Sequence, residues 1–124
     1  MLRYSLYFSM FILISCKPDK ADVEENFKIK NVNSISRIEI DSKRFGLQNL
    51  HLKNSGWYLN DSIKIRSDAI ENILRIVPYV KVMNFPPKAA WEQMNTAIRT
   101  EGGKIRFLNR AGEEIKVWHI GGTT

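Results

Sequence analysis

An apolar run from Leu6 to Ile14, broken only by Ser9, ends at Ser15 and the chain's single cysteine, Cys16. Lys17, Pro18 and Asp19 follow at once, so no apolar helix can continue past that point. Arg3 before the run and a small residue before Cys16 complete the tripartite pattern of a secretory signal. Crossing a bilayer as a helix takes about 20 apolar residues, and this run is too short for a lasting transmembrane anchor. The feature therefore removes residues 1–15 from the fold and leaves the remainder to make its own core.

Leu13-Ile14-Ser15-Cys16 resembles the bacterial lipobox, in which the cysteine carries acyl chains of the palmitate class through its sulfur and is acylated at its new amino terminus. Each buried methylene contributes roughly 0.8 kcal/mol, so one chain binds a membrane reversibly and two or more hold it stably. Cys16 is then an anchor, and the use of a lone thiol at this position is explained. An ordinary signal peptide with Cys16 near its cleavage point is the alternative. A buried amino-terminal strand or helix fits less well, because no later stretch offers an apolar partner of similar length.

Of the 124 residues, 27–124 make one domain's worth of chain, and residues 16–26, rich in Lys, Pro, Asp and Glu, read as a flexible tether. With no second cysteine there is no disulfide framework and no thiolate metal site, so stability rests on packing. The net charge of +6 is spread along the chain, without the dense basic stripe and interleaved aromatics of a nucleic-acid interface. A basic body near an anionic surface gains a salt-screened attraction, which biases it toward membranes and wall polymers.

Period-two alternation marks Ile35 to Asp41 as a half-buried strand with Ile38 and Ile40 inward. Leu50-His-Leu52 repeats it, and Asn54-Ser-Gly56 turns the chain into Trp57-Tyr-Leu59, giving an antiparallel meander. Ser67-Asp68-Ala-Ile70-Glu71 marks a helix start, a capping residue followed by an acid at capping-box spacing, and Ile70, Ile73, Leu74 and Val77 form its apolar face, expected to lie on the sheet until Pro78 ends it or adds a kinked turn. Val80 to Phe85 is extended in character. After Pro86-Pro87 a shorter helix carries Ala90, Trp91, Met94, Ala97 and Ile98 on one stripe, read as core, and Gly102-Gly103 closes it by positive φ. Lys104 to Leu108 and Ile115 to Ile120 then make a hairpin around Asn109 to Gly112. The expected fold is α+β: an antiparallel sheet from an N-terminal meander and a C-terminal hairpin, with one longer and one shorter helix packed on it.

The order Ser36-Arg-Ile38-Glu-Ile40, Gly56-Trp57-Tyr-Leu-Asn60, Arg66-Ser-Asp68-Ala-Ile70-Glu-Asn-Ile73-Leu74, Pro86-Pro-Lys88-Ala-Ala90 and Val117-Trp-His-Ile-Gly121-Gly122 resembles the Bacteroidota lipoproteins carrying domain of unknown function 4340. The resemblance spans nearly all of the chain after Cys16. It implies an exported, lipid-anchored α+β domain of the cell envelope, periplasmic or surface-exposed, with no catalytic residues to carry over. Pro78 stands where the family keeps a helix running, and the sequence stops at Gly121-Gly122-Thr-Thr where relatives continue through further strands, so a C-terminally truncated domain is one reading.

No nucleophile elbow, zinc-type histidine pair, phosphate loop or dinucleotide fingerprint is present, and no cofactor or metal is expected. His51 and His119 are the only imidazoles; His51, between two inward leucines, points outward by parity. Two functions are open. One is a binding or assembly module for an envelope protein, using a sheet edge or the region of Trp91 and Trp118. The other is an enzyme on an envelope polymer with Glu101, Glu113, Glu114 and His119 as its groups. Beside these two stands a truncated structural lipoprotein without activity.

Overall fold

The computed structural model describes residues 19–121. Six strands form one antiparallel sheet: β1 (Arg37–Ser42), β2 (Gly46–Lys53), β3 (Gly56–Leu59), β4 (Ile63–Lys64), β5 (Gly103–Leu108) and β6 (Glu114–Ile120). Their order is β4-β3-β2-β1-β5-β6, so the meander occupies one half of the sheet, the hairpin the other, and β1 joins them. The α+β reading from alternation is thus the observed architecture. β4 is a two-residue strand without a period to announce it. It forms because Asn60 and Asp61 both take positive φ and the Ser62 N–H donates to the Leu59 carbonyl, reversing the chain.

Pairing puts Ile38 opposite both Leu50 and Phe107, and Ile40 opposite Ile105, so these side chains share one face. Ile29, Ile35, Ile38, Leu50, Ile70, Val77 and Phe107 are the buried center, with Trp57, Leu59, Ile73, Leu74, Ile105 and Trp118 packed around it. The opposite face carries Arg37, Glu39, Asp41, His51 and Arg106, the outward parity expected for His51. Leu52, expected inward, lies near the sheet end and is exposed.

Helix α2 (Ser67–Ile76) covers the core face as its spacing predicts, with Ile70 buried, Ile73 and Leu74 half-buried, and Val77 buried just past its end. Its start differs from the expected cap. Arg66 is the capping residue, no side chain caps the helix, and Asp68 instead takes two hydrogen bonds from the Arg66 guanidinium. Past Ile76 the backbone tightens into a 3₁₀ turn, Val77–Tyr79, which accommodates Pro78 by giving up the α-helical register. Val80 to Phe85 joins no strand.

Helix α3 (Trp91–Glu101) follows a 3₁₀ turn at Lys88–Ala90 and, at 11 residues, is no shorter than the 10-residue α2. Reading its stripe as core is wrong: none of its residues is buried, Ala97 and Ile98 are half-buried, and Trp91 and Met94 are exposed. Gly102 does not close it by positive φ either, since its φ is −81°. What requires glycine is space, because a Cβ there would collide with the carbonyl oxygens of Ile98 and Ile120. That close approach seats the end of α3 on the end of β6.

The expected tether overlaps a helix, α1 (Lys20–Phe27), capped by the Asp19 carboxylate accepting from the Ala21 N–H. Glu24 accepts from the Val82 N–H at 2.9 Å, and Trp118 Nε1 donates to the Phe27 carbonyl at 2.9 Å. Sequence composition showed the polarity of this segment but not those two distant partners. Cys16 and the expected signal segment 1–15 lie outside the described residues.

Candidate functional site

β6 lies at one border of the sheet, bonded to β5 alone. Over seven residues its second row of N–H and C=O groups receives no backbone hydrogen bond from any other described segment. The other border, β4, has only two residues to offer. Antiparallel pairing alternates the bonded sides of successive residues, so about half of the backbone groups of β6 point away from the sheet. The ladder skips Ile115 between Lys116 and Glu114, a bulge that bends the hairpin end of the edge.

The two tryptophans proposed for binding occupy different environments. Trp118 is half-buried on β6, packed edge-to-face on Phe107 with centroids 4.9 Å apart. It belongs to the core as much as to the surface. Trp91 is exposed at the start of α3 and donates its indole N–H to the Pro86 carbonyl at 3.0 Å. Phe27, Ile120 and Trp91 are each between 43% and 49% exposed, so α1, β6 and α3 each present an apolar side chain to solvent.

The groups proposed for catalysis are not assembled. Glu101 and His119 lie by the start of β5, whereas Glu114 pairs with its last residue and Glu113 lies just past it, about 17 Å away at the rise of an antiparallel strand. A carboxylate pair for glycoside chemistry stands about 5 to 9 Å apart. Glu114 accepts from Arg106 Nε at 2.9 Å, and Glu39 from Arg106 Nη1 at 2.7 Å. The Glu114 hydrogen bond, reinforced by Glu39, raises the Arg106 guanidinium above its ordinary value, so this network is a static tie between β1, β5 and β6. Glu113 closes the hairpin turn, its N–H donating to Asn109 Oδ1.

His51 and His119 are three strands apart, about 14 Å across the sheet and about 14 Å along it. They cannot share a metal or a proton, and among the described residues no group of three His, Cys, Asp or Glu is arranged to hold a metal ion. His51 Nδ1 lies 3.2 Å from Asp61 Oδ1, with Lys53 Nζ 3.6 Å from the same oxygen. The His51 hydrogen bond, with the Lys53 charge behind it, holds the Asp61 carboxyl below its ordinary value. Sequence reading missed this pairing because the positive-φ turn at Asn60-Asp61, which swings Asp61 back toward β2, has no glycine to flag it.

A hollow of about 580 Å³ opens between α2 and the β3–β4 border. Trp57, Ile65, Ile70 and Leu74 give its apolar wall, and Lys64 and Glu71 its charged rim. It was not foreseen either, because the alternation that puts Trp57 inward does not reveal that α2 stops short of covering it. No helix among the described residues is long and apolar enough to cross a membrane. Compared with models of known families, with curated proteins and with solved structures, the chain matches none.

Proposed function

We propose that this chain is a lipid-anchored binding module of the bacterial cell envelope, tethered through Cys16, that recruits an envelope protein by adding an extended segment of it to β6. The observation that carries this reading is the seven-residue β6 border, beyond which no strand lies among the described residues. Strand addition draws affinity from main-chain hydrogen bonds and selectivity from alternate side chains, and here exposed Ile120 and Phe27 flank the edge. The lipobox-like motif and the resemblance to Bacteroidota lipoproteins support the location. The separation of the four candidate catalytic groups gives the enzyme reading no comparable support.

A photo-crosslinking side chain at His119, exposed on β6, of the full lipidated chain should give a discrete protein adduct in the envelope, while one at Glu39, inside the sheet, should not. Proline at Lys116 or at Val117 removes an N–H from opposite sides of the strand, and the variant that keeps the β5 ladder intact should lose the adduct while remaining folded. Adducts that survive both proline variants would rule out strand addition. Metabolic fatty-acid labeling tests the anchor separately: the wild type should be labeled and Cys16→Ala should not. An unlabeled wild type would remove the lipid from the proposal and leave the edge untouched.

A further inference from the structure

The β1–β2 turn, the α3–β5 joint and the end of β6 lie together at one end of the sheet. The turn leads with apolar side chains: Phe45 is 67% exposed and Leu47 55%. Its backbone is held, with the Phe45 N–H donating to Ser42 Oγ and Gln48 Nε2 donating to the Phe45 carbonyl, while Gly46 supplies a φ of +67°. Phe45 is therefore presented outward by a built turn.

Cations surround it. Lys43, Arg99, Lys104 and His119 line one hollow of about 280 Å³ with Asp41, and Arg44 lines the adjoining one with Ile120 and Glu101. Lys43, Arg44, Arg99 and Lys104 are all exposed, and none has an ion-pair partner among the described residues. Lys28, Lys30, Arg37, Lys53, Arg66 and Arg106 each face a carboxylate, and what sets the four apart from the other cations outside ion pairs is that they gather at one end of the sheet. Asp41 and Glu101 offset two of the four charges, and the end stays positive. The Arg44 guanidinium sits 5.1 Å from the Phe45 ring center, so the charge rides directly on the apolar tip.

The geometry points to a peripheral membrane contact in which this end of the sheet rests on an anionic lipid surface, Phe45 and Leu47 entering the headgroup boundary and the four cations meeting lipid phosphates. An acidic polypeptide or polymer would use the cations but gives no reason for an aromatic and an aliphatic side chain to stand in front of them. A lipid interface uses both, because apolar area and attraction to anionic headgroups add. The inference is independent of strand addition at β6, and it needs no acyl chain, since the contact is made by the domain itself.

The test uses the full chain with Cys16→Ser, carrying an environment-sensitive fluorophore at Leu47→Cys or, at the far end of the sheet, at Asn54→Cys. Vesicles of phosphatidylglycerol and phosphatidylethanolamine should blue-shift and brighten the label at 47 and leave that at 54 unchanged, which also separates tip contact from any binding by residues 1–15. Neutral phosphatidylcholine vesicles should give a far smaller response. Lys43→Ala with Arg44→Ala should weaken the tip signal roughly 30-fold, and Phe45→Ser should reduce the blue shift in a protein of unchanged circular dichroism. An equal response at 47 and 54, no response at 47, or a response to soluble polyglutamate as strong as to anionic vesicles would each overturn the proposal.

Discussion

Helices α2 and α3 have nearly the same length and each carries an apolar stripe, yet α2 buries its stripe and α3 does not. The difference lies in what each meets. α2 crosses the meander, where β1, β2 and β3 present Ile38, Leu50, Trp57 and Leu59 to one side, and it closes on Ile70 and Val77 at 3% and 1% exposure. α3 touches the sheet mainly at its last turn, through Ile98 and Gly102 against the end of β6, and leaves Trp91 49% and Met94 44% exposed. Apolar spacing determines that a helix has a face to cover. It does not determine whether the rest of the chain supplies the cover.

Truncation at the center should separate the two halves most sharply. Phe107→Ala and Ile70→Ala should each destabilize the domain by about 2 to 5 kcal/mol in urea unfolding, as side chains of this size do when their cavity cannot collapse. Trp91→Ala and Met94→Ala on α3 should each change stability by less than about 1 kcal/mol. If Trp91→Ala matched Ile70→Ala, α3 would have to be part of the core.

The junction should respond in between. Gly102→Ala forces a methyl group against two backbone carbonyls, and overpacking of this kind destabilizes by about 1 to 3 kcal/mol. The loss should appear first as faster amide exchange in α3 and β6, with α2 still protected. Uniform loss of protection would show that the two halves unfold as one unit.

The smallest effect expected is at Asp61, in the meander's turn. Its carboxyl is lowered in the folded protein, so its contribution is present above the unfolded value and is lost as pH falls through the folded one. Asp61→Asn should therefore lower the Tm slightly at neutral pH, and the gap should close on acidification below the ordinary carboxylate range. A constant gap across that range would assign the effect to turn geometry instead.

The same division governs what could be read from residues alone. Ile38, Ile40, Leu50 and Leu59 announce the meander because period-two burial is local, and Ile70 to Val77 announce α2 because their helical spacing is local too, although the cap read before them is not the one that forms. The hairpin turn at Gly112, with φ of +81°, was legible for the same reason. What could not be read depends on partners distant in sequence: the exposure of Trp91, the carbonyls crowding Gly102, the Glu24 and Val82 contact, and the position of β6 at the border. Glu101 and His119 look close to Glu113 and Glu114 along the chain, and only the strand between them shows that they occupy opposite ends.

The placement of β1 between meander and hairpin also bears on how fast the chain can find its fold. Every other strand pairing joins neighbors in sequence, whereas the β1–β5 partners stand 63 positions apart at Asp41 and Lys104 and 71 apart at Arg37 and Leu108. Turn-closed ladders form in microseconds, but this seam must first close a long loop whose entropy grows with its length. The meander with α2 and the β5–β6 hairpin are therefore expected to form early, with the rate set by their joining along β1. Substitutions at Ile105, on the seam, and at Ile63, in the β3–β4 ladder formed before it, should then both slow refolding more than they speed unfolding.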